Sequence, residues 1–143
     1  MGQQQLLLIV LGSVVVMIAV ISAFAGFTEK RAQWNDETRR LSMLELAAEA
    51  QAWKARPALT GGGDNGHPAD FSMLRLGHLR LDADTTLGDL QVYRTASDLC
   101  LLFKPASNQL RIDALEADCA TQAGFAVVVT GPHAADLAWI DAN

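Results

Sequence analysis

The chain has 143 residues, a formal net charge of −5 at pH 7 and a hydrophobic fraction of 50%. This length is typical of one domain of ordinary size. Residues 57–143 hold five basic and eleven acidic side chains, an excess that argues against nucleic-acid binding, which needs a basic patch to neutralise phosphates. Residues 1–28 carry no charge, so this end suits lipid or a dry protein interface, whereas the other end suits water.

The first predicted element is an apolar helix. Residues 6–27 form a run of 22 residues without a charge, and such a helix measures about 33 Å, enough for a bilayer core of about 30 Å. A cleaved secretory signal is one alternative, because "SAFAG" resembles a cleavage site. That reading would need a basic segment before the run and a shorter run. A plain single-span anchor is a second alternative.

The helix is predicted to continue as an amphipathic segment. Residues 28–56 contain no proline or glycine and are rich in strong helix formers, and the residue before Pro57 is a favoured end point. One helix from about residue 4 to residue 54 would measure about 75 Å. The predicted buried face repeats at i, i+3, i+7 and i+11 and consists of Leu41, Leu44, Ala48 and Ala52. A weaker set widens it: Met43, Ala47, Ala50 and Trp53.

The rest of the chain is predicted to form a small β head. A glycine-rich turn, "LTGGGDNGHPAD", is followed by short runs of strand character at residues 72–76, 79–82, 90–94, 99–103, 109–114, 125–130 and 137–140. Short connections favour antiparallel pairing. The predicted fold class is therefore α+β. Residues 1–54 form the helix (apolar half 4–27, amphipathic half 28–54), which packs on an antiparallel sheet head at 55–143.

The two cysteines indicate an exported head. Cys100 lies in a predicted strand and Cys119 in the loop "EADCATQ". An even count in a small domain suits an oxidising compartment, and a bridge would close a loop of about 20 residues, worth about 3 kcal/mol. Two buried free thiols are the alternative.

No catalytic, cofactor or metal site is predicted. The sequence lacks the HExxH, GxSxG, P-loop and CxxC motifs, and His67, His78 and His133 are scattered. The segment "DADTTLGD" gathers acidic residues beside Gly88, but it lacks the sixth-position glycine and the closing glutamate of a calcium loop. We expect Asp82, Asp84 and Asp89 to form a solvated turn.

A long helix, apolar and then amphipathic, that leads to a small β head with a late cysteine pair resembles a type IV pilin. The opening "MGQQQLLLIVLG" and the later "ARPALTGGGDNG" are similar to a group of bacterial pilin-like proteins. Those chains begin with a GQQQLLL block and carry an Arg-Pro and a glycine run after the helix. Typical pilins have a glutamate at the fifth mature position. Here Leu7 would stand fifth after cleavage behind Gly2, and Gln5 would stand fifth if nothing is removed.

The resemblance implies a structural subunit of an extracellular bacterial filament on the cell surface. Subunits would be anchored in the inner membrane, would then polymerise with identical copies through the apolar helix, and would require pilus-type assembly machinery. The residues expected in the assembly core are Gln5, Leu6, Leu7, Leu8, Gly12, Ser13, Val16, Ala19, Ser22 and Gly26. The alternative is a single-span membrane-anchored accessory protein with a small exported β domain.

Overall fold

The computed structural model describes residues 2–141, leaving aside the side chains of Thr28 and Ala32. Residues 1, 142 and 143, which the predicted domain bounds include, lie outside it. The first element is one α-helix, α1, spanning Gly2–Lys54. The chain divides into two compact units, and the boundary lies within this helix. Residues up to Thr38 belong to the first unit, and residues from Arg39 onward belong to the second, here called the head. The last turns of α1 therefore belong to the head.

The head contains one six-stranded antiparallel sheet. Its strands are β1 (Thr85–Leu87), β2 (Leu90–Arg94), β3 (Cys100–Pro105), β4 (Leu110–Leu115), β5 (Gln122–Val129) and β6 (Leu137–Asp141). They pair in sequence order, so the sheet is a continuous meander. The α+β class and the antiparallel pairing predicted from the sequence are confirmed.

Alternation along the strands builds two apolar layers. Leu101 and Phe103 of β3 face α1 together with Ile112 of β4 and Val127 of β5, all fully buried. The intervening side chains face the other way, where a smaller cluster consists of Val92, Cys100, Leu102, Leu115 and Cys119. The predicted disulfide lies in this second cluster, since Cys100 and Cys119 are bonded with a Cα–Cα distance of 5.2 Å.

The face of α1 that packs on the sheet differs from the predicted one. Its buried apolar residues are Met43, Leu46, Ala47, Ala50 and Trp53. The residues predicted to lead that face are instead exposed, Leu41 by 67% and Leu44 by 36%, as are Ala48 and Ala52. The weaker predicted set is thus the packing face, because small Ala47 and Ala50 allow the helix to approach the sheet while Met43 and Trp53 fill the space beside them.

Two predicted strands are also wrong. Residues 72–76 and 79–82 form turns and a short 3₁₀ helix at Leu76–Leu79. Phe71, Leu74, Leu76 and Leu79 give this segment the apolar content of strands, but they bury it as irregular chain against the core. The sheet begins instead at β1, whose three residues are all exposed and give no periodic signal.

Candidate assembly surfaces

Every residue predicted for the assembly core lies on α1 and is exposed in the single chain. Leu6, Leu7 and Leu8 are 66–68% exposed, and Val16 is 61% exposed. An 18-residue window of α1 has a mean hydropathy of 3.0, with none of it buried. A helix that is apolar all round needs lipid or protein around it. This one is long and apolar enough to cross a membrane, and a signal sequence would have the same properties.

The predicted core residues do not all share one side of the helix. At about 100° per residue, a heptad series runs along one face and consists of Gln5, Gly12, Ala19 and Gly26. Leu8, Val16 and Ser22 lie within about 60° of that line, whereas Leu6, Leu7 and Ser13 point elsewhere. We call the line of this series, from Gln5 through the small residues Gly12, Ala19 and Gly26, the small-residue face. The spacing of seven residues is visible in the sequence, but the composition of the segment alone does not show it.

The polar groups on this half of α1 suit an apolar environment. The Ser13 hydroxyl donates to the Val10 carbonyl oxygen at 2.8 Å, and the Ser22 hydroxyl donates to the Ile18 carbonyl oxygen at 2.9 Å. Both donors are satisfied within the helix, so neither adds an unpaired donor when water is removed. The space beside the α-carbons of Gly12 and Gly26 is open in the single chain, which leaves room for another backbone to approach.

The head portion of α1 presents a second apolar surface. Leu41, Leu44, Ala48 and Ala52 lie on one helical face and are exposed. The neighbouring Arg40 is held on the head, where its guanidinium lies 4.8 Å from the ring centre of Phe125 and 5.1 Å from that of Trp139. We call Leu41, Leu44, Ala48 and Ala52 the outer helix face.

Buried polar side chains tie α1 to the loops of the head. Arg39 is 8% exposed and its Nη2 donates to Glu116 Oε2 at 3.5 Å. Gln51 Nε2 donates to the carbonyl oxygens of Gly131 at 3.2 Å and His133 at 2.6 Å. The two Gln51 bonds hold the turn between β5 and β6 against the helix.

Lys54 organises the glycine-rich turn. It is 3% exposed, and its Nζ donates to the Gly63 carbonyl oxygen at 2.6 Å, Asn65 Oδ1 at 2.9 Å and the Asp70 carbonyl oxygen at 2.7 Å. All three ammonium protons therefore have acceptors. A side chain at Gly63 would collide with the Trp53 ring, so glycine lets this turn close over the end of α1.

Two carboxyl groups near the surface of the head are strongly hydrogen-bonded. The Ser72 hydroxyl and backbone N–H, with the Asn65 amide, lower the pKa of Asp70 to about 2. The Thr121 backbone N–H and hydroxyl, with the Ala120 N–H, lower the pKa of Asp118 to about 2. Hydrogen bonds to the ionised form cause both shifts, and Asp118 thereby orders the loop that carries Cys119.

The acidic and histidine residues considered for metal binding are not brought together. Among residues 2–141, no group of three His, Cys, Asp or Glu side chains is arranged to hold a metal ion. Asp84 instead accepts from Arg94 Nε at 3.1 Å. The buried carboxylate of Asp113 is paired with Arg111 on the same strand and with Lys104 on the neighbouring strand β3.

Comparison with known protein families, curated proteins and solved structures gave no match to this chain.

Proposed function

We propose that the protein is the structural subunit of an extracellular bacterial filament that polymerises through the apolar half of α1. The observation that carries this proposal is the complete exposure of that half in the single chain together with its small-residue face. A plain anchor needs only hydrophobicity. The two glycines of the heptad series weaken an isolated helix, and a line of small residues is useful where helices pack closely.

The head supports the same proposal. Its disulfide suits an oxidising compartment outside the cytoplasm. The outer helix face adds exposed apolar area beyond the membrane-length segment, and contiguous exposed apolar surface is typical of interaction sites. Under this proposal the inner membrane holds the subunit first, and identical neighbours then replace lipid around the helix.

The direct test is to shear cells that produce the chain and to examine the supernatant by electron microscopy and mass spectrometry. Regular filaments composed of this chain, absent from a deletion strain, are the expected result. Chain found only in the membrane fraction as single copies would contradict the proposal.

The second candidate function is a single-span membrane-anchored accessory protein with a small exported β domain. The apolar part of α1 is long enough to cross a membrane, and an anchor needs no further copies of the chain. Both candidates export the head, so the sheared fraction separates them: filaments indicate the first, and chain found only as single copies in the membrane indicates the second. Lys30 and Arg31 are exposed after the apolar run and favour a cytoplasmic head by the positive-inside rule; free thiols at Cys100 and Cys119 in intact cells would contradict both candidates.

A further inference from the structure

The head is acidic, yet two of its arginines have no side-chain partner among residues 2–141. From Arg39 onward the chain has nine arginines and lysines and thirteen aspartates and glutamates. Seven of these cations make hydrogen bonds, ion pairs or ring contacts: Arg39, Arg40, Lys54, Arg75, Arg94, Lys104 and Arg111. Within residues 2–141, the side chains of the other two, Arg56 and Arg80, make none.

Both unpartnered arginines line one cleft. Arg56 follows the end of α1, and Arg80 follows the 3₁₀ helix Leu76–Leu79. Folding brings both side chains to the lining of one concavity of about 270 Å³, whose other lining residues are Glu49, Ala52, Trp53, His78 and Leu79. Two positive charges left without carboxylate partners on an acidic domain point to an external negative partner.

The walls of this cleft add a further donor, His78, and a buried indole beside it. The rings of Trp53 and His78 are stacked at 5.7 Å with an angle of 12° between them. His78 Nδ1 accepts from the Arg75 backbone N–H at 3.2 Å, so the neutral ring carries its proton on Nε2 and can donate from there. Trp53 is 5% exposed and its buried Nε1 has no acceptor among the described residues, which is uncommon for a buried indole.

The backbone at Arg80 is also specialised. Its φ of 60° lies in the left-handed region, and its N–H bonds to the Gly77 and Leu76 carbonyl oxygens. Glycine or asparagine is the usual choice in this conformation, because a side chain raises its energy. An arginine there keeps a guanidinium at the cleft despite that cost.

We propose that this cleft binds an oxyanion, a carboxylate or phosphate group, held by the Arg56 and Arg80 guanidinium groups with His78 Nε2 as a further donor. Guanidinium groups match the geometry of such anions and form charge-assisted pairs with them. Glu49 contributes one negative charge at the same cleft against two positive ones. The cleft volume suits a small anionic group rather than a long ligand. The proposal does not depend on filament formation.

The oxyanion has two possible sources, and both present the same chemistry. It is either a free small anion or an acidic side chain of a second copy, since the Asp82 and Asp89 carboxylates make no ion pair or hydrogen bond within residues 2–141. The probe is the indole N–H signal of Trp53 in the ¹⁵N spectrum of the full chain in neutral detergent micelles at pH 7, assigned with Trp53→Phe. Sodium phosphate and sodium acetate are titrated separately, each against sodium chloride at matched ionic strength.

We expect a saturable shift of the Trp53 signal with phosphate or acetate that chloride does not reproduce. The double variant R56Q/R80Q should weaken this binding by about tenfold or more, because it removes both charged donors. The matched control K30Q/R31Q removes the same charge from exposed positions outside the head and should bind as the native chain does.

A second arm separates the sources. If the Trp53 signal moves as protein concentration rises at low salt and phosphate reverses the movement, the anion is an acidic side chain of another copy. If it moves only with added anion, the ligand is free. A signal that responds in neither arm, or that responds equally in R56Q/R80Q, overturns the proposal.

Discussion

The first unit and the head use leucine in opposite ways. Leu6, Leu7 and Leu8 leave about two thirds of their surface exposed, whereas Leu46, on the same helix, is 2% exposed and Leu101 is completely buried. Both regions are rich in aliphatic residues, but only the head contains the partners that cover them. The head therefore has its own core, and the apolar half of α1 depends on lipid or on other molecules for burial.

Polar groups show the same contrast. In the head, Arg39 and Gln51 donate to acceptors 77 and 80 residues further along the chain, and Lys54 donates to acceptors in the glycine-rich turn. In the apolar half, Ser13 and Ser22 bond only to their own helix. The head is held by contacts between its own residues, whereas the apolar half of α1 presents an apolar surface to its surroundings. Substitutions in the first unit should therefore affect assembly, whereas substitutions in the head should affect folding.

The largest expected effect comes from Gly12→Leu. The leucine keeps the segment apolar, so membrane insertion should be unchanged or improved, but it adds bulk on the small-residue face where helices must approach. We expect abundant chain in the membrane fraction and few or no filaments in the sheared fraction. Both are measured by immunoblotting and electron microscopy.

Ala25→Leu is the matched control for Gly12→Leu. It adds similar bulk to the same helix about 120° away from the small-residue face and should assemble better than Gly12→Leu. Normal filament yield from Gly12→Leu would mean that this face is not a packing seam and would strengthen the anchor alternative.

The next effect in size is on the head alone. Lys54→Met keeps the length of the side chain but removes the buried ammonium and its three hydrogen bonds to the glycine-rich turn, so we expect a loss of stability of about 3–5 kcal/mol. Chemical unfolding of the full chain in detergent, followed by tryptophan fluorescence, measures it. Lys30→Met makes the same change at an exposed position and should stay within about 0.5 kcal/mol of the native chain. Equal effects of the two variants would contradict the role assigned to Lys54.

Removing the disulfide should have a slightly smaller effect. Cys100→Ala/Cys119→Ala should cost the head about 3 kcal/mol, since the bridge constrains the unfolded loop. The same unfolding experiment measures the change. A reductant should bring the native chain close to the double variant and leave the variant itself unchanged. If the reductant destabilised the variant equally, the effect would not belong to the bridge.

Sequence patterns predicted the elements that repeat regularly. The long helix follows from its uninterrupted helix formers, and β2, β3 and β4 follow from alternating or apolar runs closed by turn residues. The cysteine pair was predicted from count and context. The helix and strand patterns depend on neighbouring residues, so the sequence predicts them directly.

The parts missed depend on tertiary packing. Leucines at 41 and 44 outweigh alanines in any hydrophobic pattern, yet small Ala47 and Ala50 are what the sheet accepts at close range. The sequence predicts a solvated lysine at position 54, because the acceptors of Lys54 lie in the glycine-rich turn and reach it only in the folded chain. The Arg56 and Arg80 cleft joins two distant loops, and no spacing rule relates them.

The smallest expected effect is on acid stability, and it also separates the two regions. The pKa values of Asp70 and Asp118 are lowered from 3.8 to about 2 in the folded head. A lowered folded pKa stabilises the protein above the unfolded pKa, and that contribution disappears as the pH falls from about 4 to about 2. The melting temperature of the head should therefore decrease across this window. The helical circular dichroism signal of the apolar half in micelles should not change, because residues 2–28 carry no titratable side chain. Asp118→Asn should flatten the decrease in part, and the exposed Asp89→Asn should not; identical acid profiles for the two variants would mean that the hydrogen bonds of the Cys119 loop do not set it.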